Sequence, residues 1–146
     1  MDQEQLTVKQ MSDILNKKSG LQGITGISSD MRDISCAAAD GNEKAVLARK
    51  MFCARVKAYI GQYIAEMNGA DAIVFTAGIG ENDAETRAGC CAELDFLGIK
   101  IDAGKNAKRG GEFEISADDS RVKVFVIATN EELAIARDTM KLVSGK

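Results

Sequence analysis

Three short stretches of the chain hold residue types that could do chemistry at useful spacing. The first, Ala77-Gly78-Ile79-Gly80-Glu81-Asn82, follows directly on the apolar run Ala72-Ile73-Val74-Phe75-Thr76. Glycines at 78 and 80 let the backbone approach a ligand without interference from a Cβ. A helix beginning just beyond them would offer unpaired N–H groups and a positive dipole end, which suit phosphate or a nucleotide. The pattern is not the dinucleotide fingerprint, because the third glycine would fall at position 83, which is Asp. Nor is it a P-loop, since no Gly-Lys-Ser/Thr follows. A tight turn between packed elements remains the competing reading.

The second stretch is Ser28-Ser29-Asp30-Met31-Arg32-Asp33. A Ser/Asp-rich segment after a glycine loop is a capped helix start. Arg32 in the first turn runs against the preference for acidic residues there. Either it pairs with Asp30 or Asp33 at the surface, or it meets a bound anion. The third stretch, Thr129-Asn130-Glu131-Glu132, ends a second apolar run. Thr129 and Glu132 have the spacing of a capping box, which assigns Glu132 a structural task. Glu131 is then the carboxylate left at the mouth of the sheet, either facing solvent or available to Mg²⁺ as a hard oxygen ligand beside phosphate.

These residues need a scaffold. The chain has 146 residues, with 45% apolar and 28% charged side chains, the balance of a globular domain. A formal net charge of -3 argues against a broad nucleic-acid or anionic-membrane surface. No apolar run approaches the ~20 residues needed to span a bilayer, and the polar stretch Met1 to Gln10 lacks the apolar core of a secretory signal. The four cysteines (36, 53, 90 and 91) have no CxxC spacing and there is no histidine, so the expectation is free thiols in a cytoplasmic protein without a zinc site or triad chemistry.

With no proline, glycine carries the punctuation. The spacing predicts a helix from about Thr7 to Lys18, opened by a Thr7/Gln10 capping box and ended at Gly20, then a glycine loop to Ser29. Asp30 caps a short helix over Arg32 to Ala39. The longest helix, about Glu43 to Met67, carries apolar residues four apart over a wide face and is expected to be well buried. Ala72 to Thr76 reads as a strand covered on both faces. A helix from about Asp83 to Leu97 follows, with Asn82 as its cap and Gly98 at its end. Ile99 to Asp102, Glu112 to Ser116 and Val122 to Ala128 read as strands, and Lys105 to Gly111 as a polar connection. A last helix spans about Glu131 to Leu142. One α/β domain with parallel strands flanked by helices is the expectation, with both strand-to-helix mouths opening onto one site.

The same residues carry a resemblance. Leu15-Asn16-Lys17-Lys18-Ser19-Gly20-Leu21, Gly26 through Asp33, Phe75 through Asn82, Phe96-Leu97-Gly98-Ile99 and Thr129 through Asp138 stand in the order and spacing of the acetate kinase family. That resemblance implies a partial RNase H-like domain of the actin/Hsp70 type and reversible transfer of phosphate between ATP and acetate with Mg²⁺. It implies that Asp30, Met31 and Arg32 contact the nucleotide, that Gly78, Ile79, Gly80, Glu81 and Asn82 form its other wall, and that Glu131 serves the metal. It also implies a homodimer. Two residues depart from the family: Ala128 stands where proline is common, and Met31 where an aromatic is frequent, exchanging ring stacking on adenine for a softer contact.

The match covers only the last third of that family's length. By the same resemblance, residues 1–146 are the C-terminal nucleotide-binding domain without its first strands. The acetate pocket and the catalytic arginines, aspartate and histidine lie outside this chain, so no catalytic residue is assigned within it. An apolar strand with an unpaired edge is expected in consequence. A propionate or butyrate kinase, and a non-catalytic module that pairs through the Glu43–Met67 face, are the alternatives.

Overall fold

A computed structural model describes residues 4–145; Met1–Gln3 and Lys146 lie outside the described residues. The chain forms two compact units, residues 1–68 and 69–146.

The first unit is helical. Helix α1 (Val8–Lys17) opens with the expected reciprocal cap, Thr7 and Gln10 each bonding the other's backbone. The predicted glycine loop contains a further helix, α2 (Gly20–Thr25), which starts from Gly20 at φ +60° and ends at Gly26 in the left-handed region. Helix α3 (Met31–Ala39) is capped by the Asp30 carboxylate accepting from the Arg32 N–H, as its sequence predicts. Helix α4 (Glu43–Glu66) starts from Asn42, whose side chain accepts from the Ala45 N–H. The core of this unit is Met31 and Ile34 of α3 against Ala45 and Ala48 of α4, with Leu21, Ile24 and Phe52 packed around them.

Burial of α4 differs from expectation. Only Ala45 and Ala48 are buried, while Leu47 is 52% exposed and Met51, Tyr59, Tyr63 and Met67 are exposed as well. The reason is length: 24 residues of helix span about 36 Å, whereas the 9 residues of α3 cover about 14 Å of it.

The second unit carries a three-stranded sheet in the order β1-β3-β2, where β1 is Ala72–Phe75, β2 is Phe113–Glu114 and β3 is Lys123–Val126. β1 runs parallel to β3, with Ala72 opposite Lys123 and Phe75 opposite Val126. β2 is antiparallel to β3, so the sheet is mixed rather than wholly parallel. The expected strand at Ile99–Asp102 is reduced to two isolated bridges, Ile99 to Val122 and Ile101 to Ser116. β1 is the sheet edge, and alternate residues along it are exposed, Val74 at 49%. The unpaired edge is therefore present among the described residues, and the expectation of cover on both faces fails because the face carrying Ala72 and Val74 stays exposed.

The helix predicted over residues 83–97 is interrupted. Helix α5 (Ala77–Asn82) already occupies the glycine segment; α6 (Ala84–Cys91) is capped by Asp83, whose carboxylate accepts from the Thr86 N–H; and a 3₁₀ turn covers Asp95–Leu97. Glu93, at φ +60°, breaks the run, and Gly98 closes it in the left-handed region as predicted. The polar connection begins with α7 (Ala103–Asn106), and the last helix is α8 (Glu131–Ser144). No disulfide joins any of the four cysteines, and among the described residues no group of three or more His/Cys/Asp/Glu could hold a metal ion.

With so few buried apolar residues, the first unit depends on each one. Ile34→Ala, at a fully buried position, is expected to cost about 2–4 kcal/mol, seen as a lower urea midpoint at unchanged slope.

Candidate functional site

The parallel pairing of β1 with β3 brings the carboxyl ends of both strands together, and the residues just past them are joined side chain to side chain. The pairing continues beyond the strands, the Ile127 N–H donating to the Phe75 carbonyl. One step further, the Thr76 and Thr129 hydroxyls share a short hydrogen bond, and the Ala77 N–H donates to Thr129 Oγ1 at 3.0 Å. In return the Thr129 N–H donates to Glu81 Oε1 at 2.8 Å. Three bonds thus bind the segment Thr76–Glu81 to the start of the β3–α8 connection.

This network reassigns several residues. Thr129 spends its hydroxyl across the sheet rather than on α8, so it is not the cap. Asn130 is, accepting from the Leu133 N–H at 3.2 Å. The capping box expected of Thr129 and Glu132 is absent for that reason, and Glu131 and Glu132 both lie exposed in the first turn of α8, where the helix dipole favours carboxylates. Together with Ala128, Thr129 and Asn130 they line an open depression. Asn82 is likewise not a cap; its Nδ2 donates back to the Gly78 carbonyl at 2.9 Å.

The two glycines have different reasons. A Cβ on Gly80 would stand 3.2 Å from the Phe75 carbonyl carbon, so its absence serves the fold, whereas Gly78 faces open space. Between them and the strand sits Ala77 at φ +59°, a conformation that a residue with a Cβ rarely adopts. Its N–H bond to Thr129 holds it there, an instance of backbone strain maintained by its surroundings.

In the first unit, Asp30 and Arg32 answer to one another. Arg32 Nη2 donates to Asp30 Oδ2 at 2.6 Å and Nε to Oδ1 at 3.1 Å, while Asp33 accepts from the Ser28 hydroxyl at 2.7 Å. The surface-pair reading of Arg32 thus holds for this conformation, with its side chain still 90% exposed. Hydrogen bonds from the Arg32 side chain and backbone N–H lower the Asp30 carboxyl from its ordinary 3.8 to about 2. Met31 is 4% exposed and packs into the core, so its thioether is not presented to a ligand; what that turn presents is backbone.

The acetokinase family model matches residues 1–137. The chain belongs to the acetokinase family. It is 57% identical to acetate kinase of Halothermothrix orenii over 145 residues, 99% of this chain and 36% of that protein. Among solved structures, acetate kinase of Porphyromonas gingivalis superposes with a TM-score of 0.89 at 45% identity, covering 98% of this chain and 36% of that one. A propionate kinase of Francisella tularensis gives a TM-score of 0.82 at 43% identity over 92% of this chain and 34% of that one. The chain thus spans about 36% of the length of the acetokinases it matches, and it shares their α/β fold class.

Sequence reasoning found both strand mouths and missed what joins them. Thr76 was not distinguishable from the last residue of a strand, and Thr129 looked like a cap. The register of β1 against β3, which alone puts the two hydroxyls together, has no local signal in either segment.

Two outcomes follow. Since the Asp30 pKa is depressed in the folded chain, its contribution to stability is present above the unfolded value of 3.8 and disappears as pH falls through about 2. Carboxyl NMR titration is expected to find Asp30 near that value in the wild type, and higher in Arg32→Gln but still below its ordinary value, because the backbone N–H of residue 32 continues to donate to it. Ala77→Gly is expected to raise stability by up to about 1 kcal/mol, because glycine adopts the left-handed conformation without steric cost; a lower denaturation midpoint would show that Ala77 is unstrained.

Proposed function

We propose that these residues supply the nucleotide-binding part of an acetate kinase, which transfers phosphate reversibly between ATP and acetate to give ADP and acetyl phosphate. The observation carrying this reading is the hydrogen-bonded junction of the two strand mouths, which brings the Gly78–Asn82 segment and the Glu131 turn to one end of a parallel strand pair. Ligands of open α/β sheets bind at that end. On this reading Gly78, Ile79, Gly80, Glu81 and Asn82 form one wall of the nucleotide site. In the first unit, taken by itself, Asp30, Met31 and Arg32 are proposed as nucleotide contacts, Met31 through its backbone.

The charge of the mouth supports a metal-complexed nucleotide. Glu81, Glu131 and Glu132 are all carboxylates, and an uncomplexed polyphosphate would meet repulsion there. Glu131 fits Mg²⁺, which commonly takes one or two carboxylates and completes its shell with water and phosphate oxygens. Mg²⁺, when bound, would neutralise charge on the phosphates. The protein residues bind and orient: Glu131 is steadied by the start of α8, and Glu81 by the Thr129 N–H.

Phosphoryl transfer is mostly positioning and charge stabilisation. The acyl site and the clamp of cations are proposed to come from the part of the relatives' length that this chain does not span. The relatives with 53–57% identity are named acetate kinases, and the names of these relatives favour acetate as the acyl substrate. A homodimer has exposed apolar surface available on α4, at Leu47 and Met51. Four cysteines with no disulfide among them suit a reducing, cytoplasmic setting.

Calorimetric titration with ADP, with and without Mg²⁺, tests the reading. Binding that requires Mg²⁺ and vanishes on chelation is expected, with no acetate kinase turnover from the 146-residue chain alone. A chain that ignores nucleotide and sediments as a tight oligomer would instead be a pairing module, and turnover at the level of a full-length acetokinase would place the catalytic residues within this sequence.

A further inference from the structure

Arg87 is the largest fully buried side chain among the described residues, 1% exposed on α6. Its hydrogen bonds go to amide carbonyls. Nε donates to Asn106 Oδ1 at 2.8 Å and Nη2 to the Asn106 carbonyl at 2.7 Å. Nη1 donates to the carbonyls of Gly80 and Glu81, both at 2.9 Å. Asn106, itself buried, is held in turn by its Nδ2 donating to the Ala84 carbonyl at 2.8 Å. Burial pulls the guanidinium pKa down, and the negative charge of Asp83 opposes that pull.

Burying a guanidinium is expensive, and an apolar side chain of similar volume often leaves a protein as stable or more so. The charge therefore calls for a reason other than stability, and its partners supply one. Gly80 and Glu81 are at the carbonyl end of α5, a helix of 6 residues with two glycines in it. A helix so short does not hold its own shape, and its last carbonyls have no partner within it. A cation at that end supplies both hydrogen bonds and a favourable interaction with the dipole.

We propose that Arg87, oriented by Asn106, is a positioning residue for the nucleotide-binding segment: it fixes α5 from its carbonyl end and so holds Gly78–Asn82 in one geometry. The inference rests on the nucleotide reading given above. α5 is then clamped at both ends, by the Thr129 hydroxyl on the Ala77 N–H and by the Arg87 fork on the last carbonyls. Lysine cannot replace the fork, because a single ammonium lacks the planar, spaced donors that reach Asn106 and two backbone carbonyls together.

Amide hydrogen exchange and Mg²⁺–ADP calorimetry on the 146-residue chain, comparing wild type with Arg87→Lys and Asn106→Ala, test this. Losing one hydrogen bond to a charged group corresponds to about tenfold. Arg87→Lys is expected to speed exchange at residues 79–82 by at least about that factor and to weaken ADP binding similarly, while β3 keeps its protection. Asn106→Ala, which leaves the guanidinium its backbone carbonyls, is expected to give the same selective pattern more weakly, and it carries the test if Arg87→Lys does not fold. Uniform loss of protection across residues 69–145, unchanged exchange at 79–82, or failure of both variants to fold would each overturn the proposal by making Arg87 a packing residue. A wild-type chain that binds no ADP would sink the nucleotide reading instead, and the exchange data would still decide what Arg87 does to α5.

Discussion

The pairing of two threonine hydroxyls past the ends of two parallel strands is the constraint on which the rest of the second unit depends. Parallel strands need a crossover, and here the chain between β1 and β3 contains three α-helices, a 3₁₀ turn and a two-residue strand. Nothing in that connection requires the residues after Phe75 to remain near those after Val126. The β1–β3 register and the Ile127 N–H bond to the Phe75 carbonyl bring them together, and the Thr76–Thr129 contact, the Ala77 N–H and the Glu81 carboxylate fix their geometry. Each bond is exposed and contributes only about 0.5–1.5 kcal/mol, but the three close a ring through two backbones, and ring closure converts modest bonds into a defined geometry.

That ring also explains the division of labour among the carboxylates. Glu81 is committed to a backbone N–H and cannot turn freely toward a ligand with that oxygen, whereas Glu131 and Glu132 extend from a helix start that Asn130 caps. Had Thr129 capped α8, its hydroxyl would have been lost to the strand junction and Glu132 drawn back into the cap. Asparagine at 130 frees both. The placement of one capping residue thus decides which carboxylates are left exposed at the mouth.

Much of the fold was legible because it is local. Thr7 with Gln10, Asp30 before Arg32, and Gly98 in the left-handed region are caps and stops written within a few residues, and each stands where the spacing puts it. The helix–strand–helix order was readable from apolar periodicity. What escaped reading is non-local. The apolar face of α4 has the right period, yet the packing elements beside it in its own unit are too short to cover it. The run over residues 83–97 has helical character, but Ala92 leaves the helix and Glu93 turns left-handed. Arg87 lies four residues after Asp83, the spacing of a surface ion pair, and sequence alone has no means of showing that Asn106, from another helix, closes over it.

The two units hold their candidate residues by opposite strategies, which follows from what each has available. The first has no sheet, so its candidate residues sit on a helix start: Asp30 caps, Met31 anchors the turn in the core, and Arg32 is left outside on the carboxylate that caps it. Cap and core together position the turn, and the guanidinium needs no further support. The second unit must position a glycine-containing segment with little side chain of its own to pack. It does so through backbone groups, receiving the Ala77 N–H at one end of α5 and the Gly80 and Glu81 carbonyls at the other. Side chains that bind backbone place few demands on the identity of the residues held. Gly78 takes part through its carbonyl, which accepts from Asn82, and the space that a Cβ there would occupy stays open.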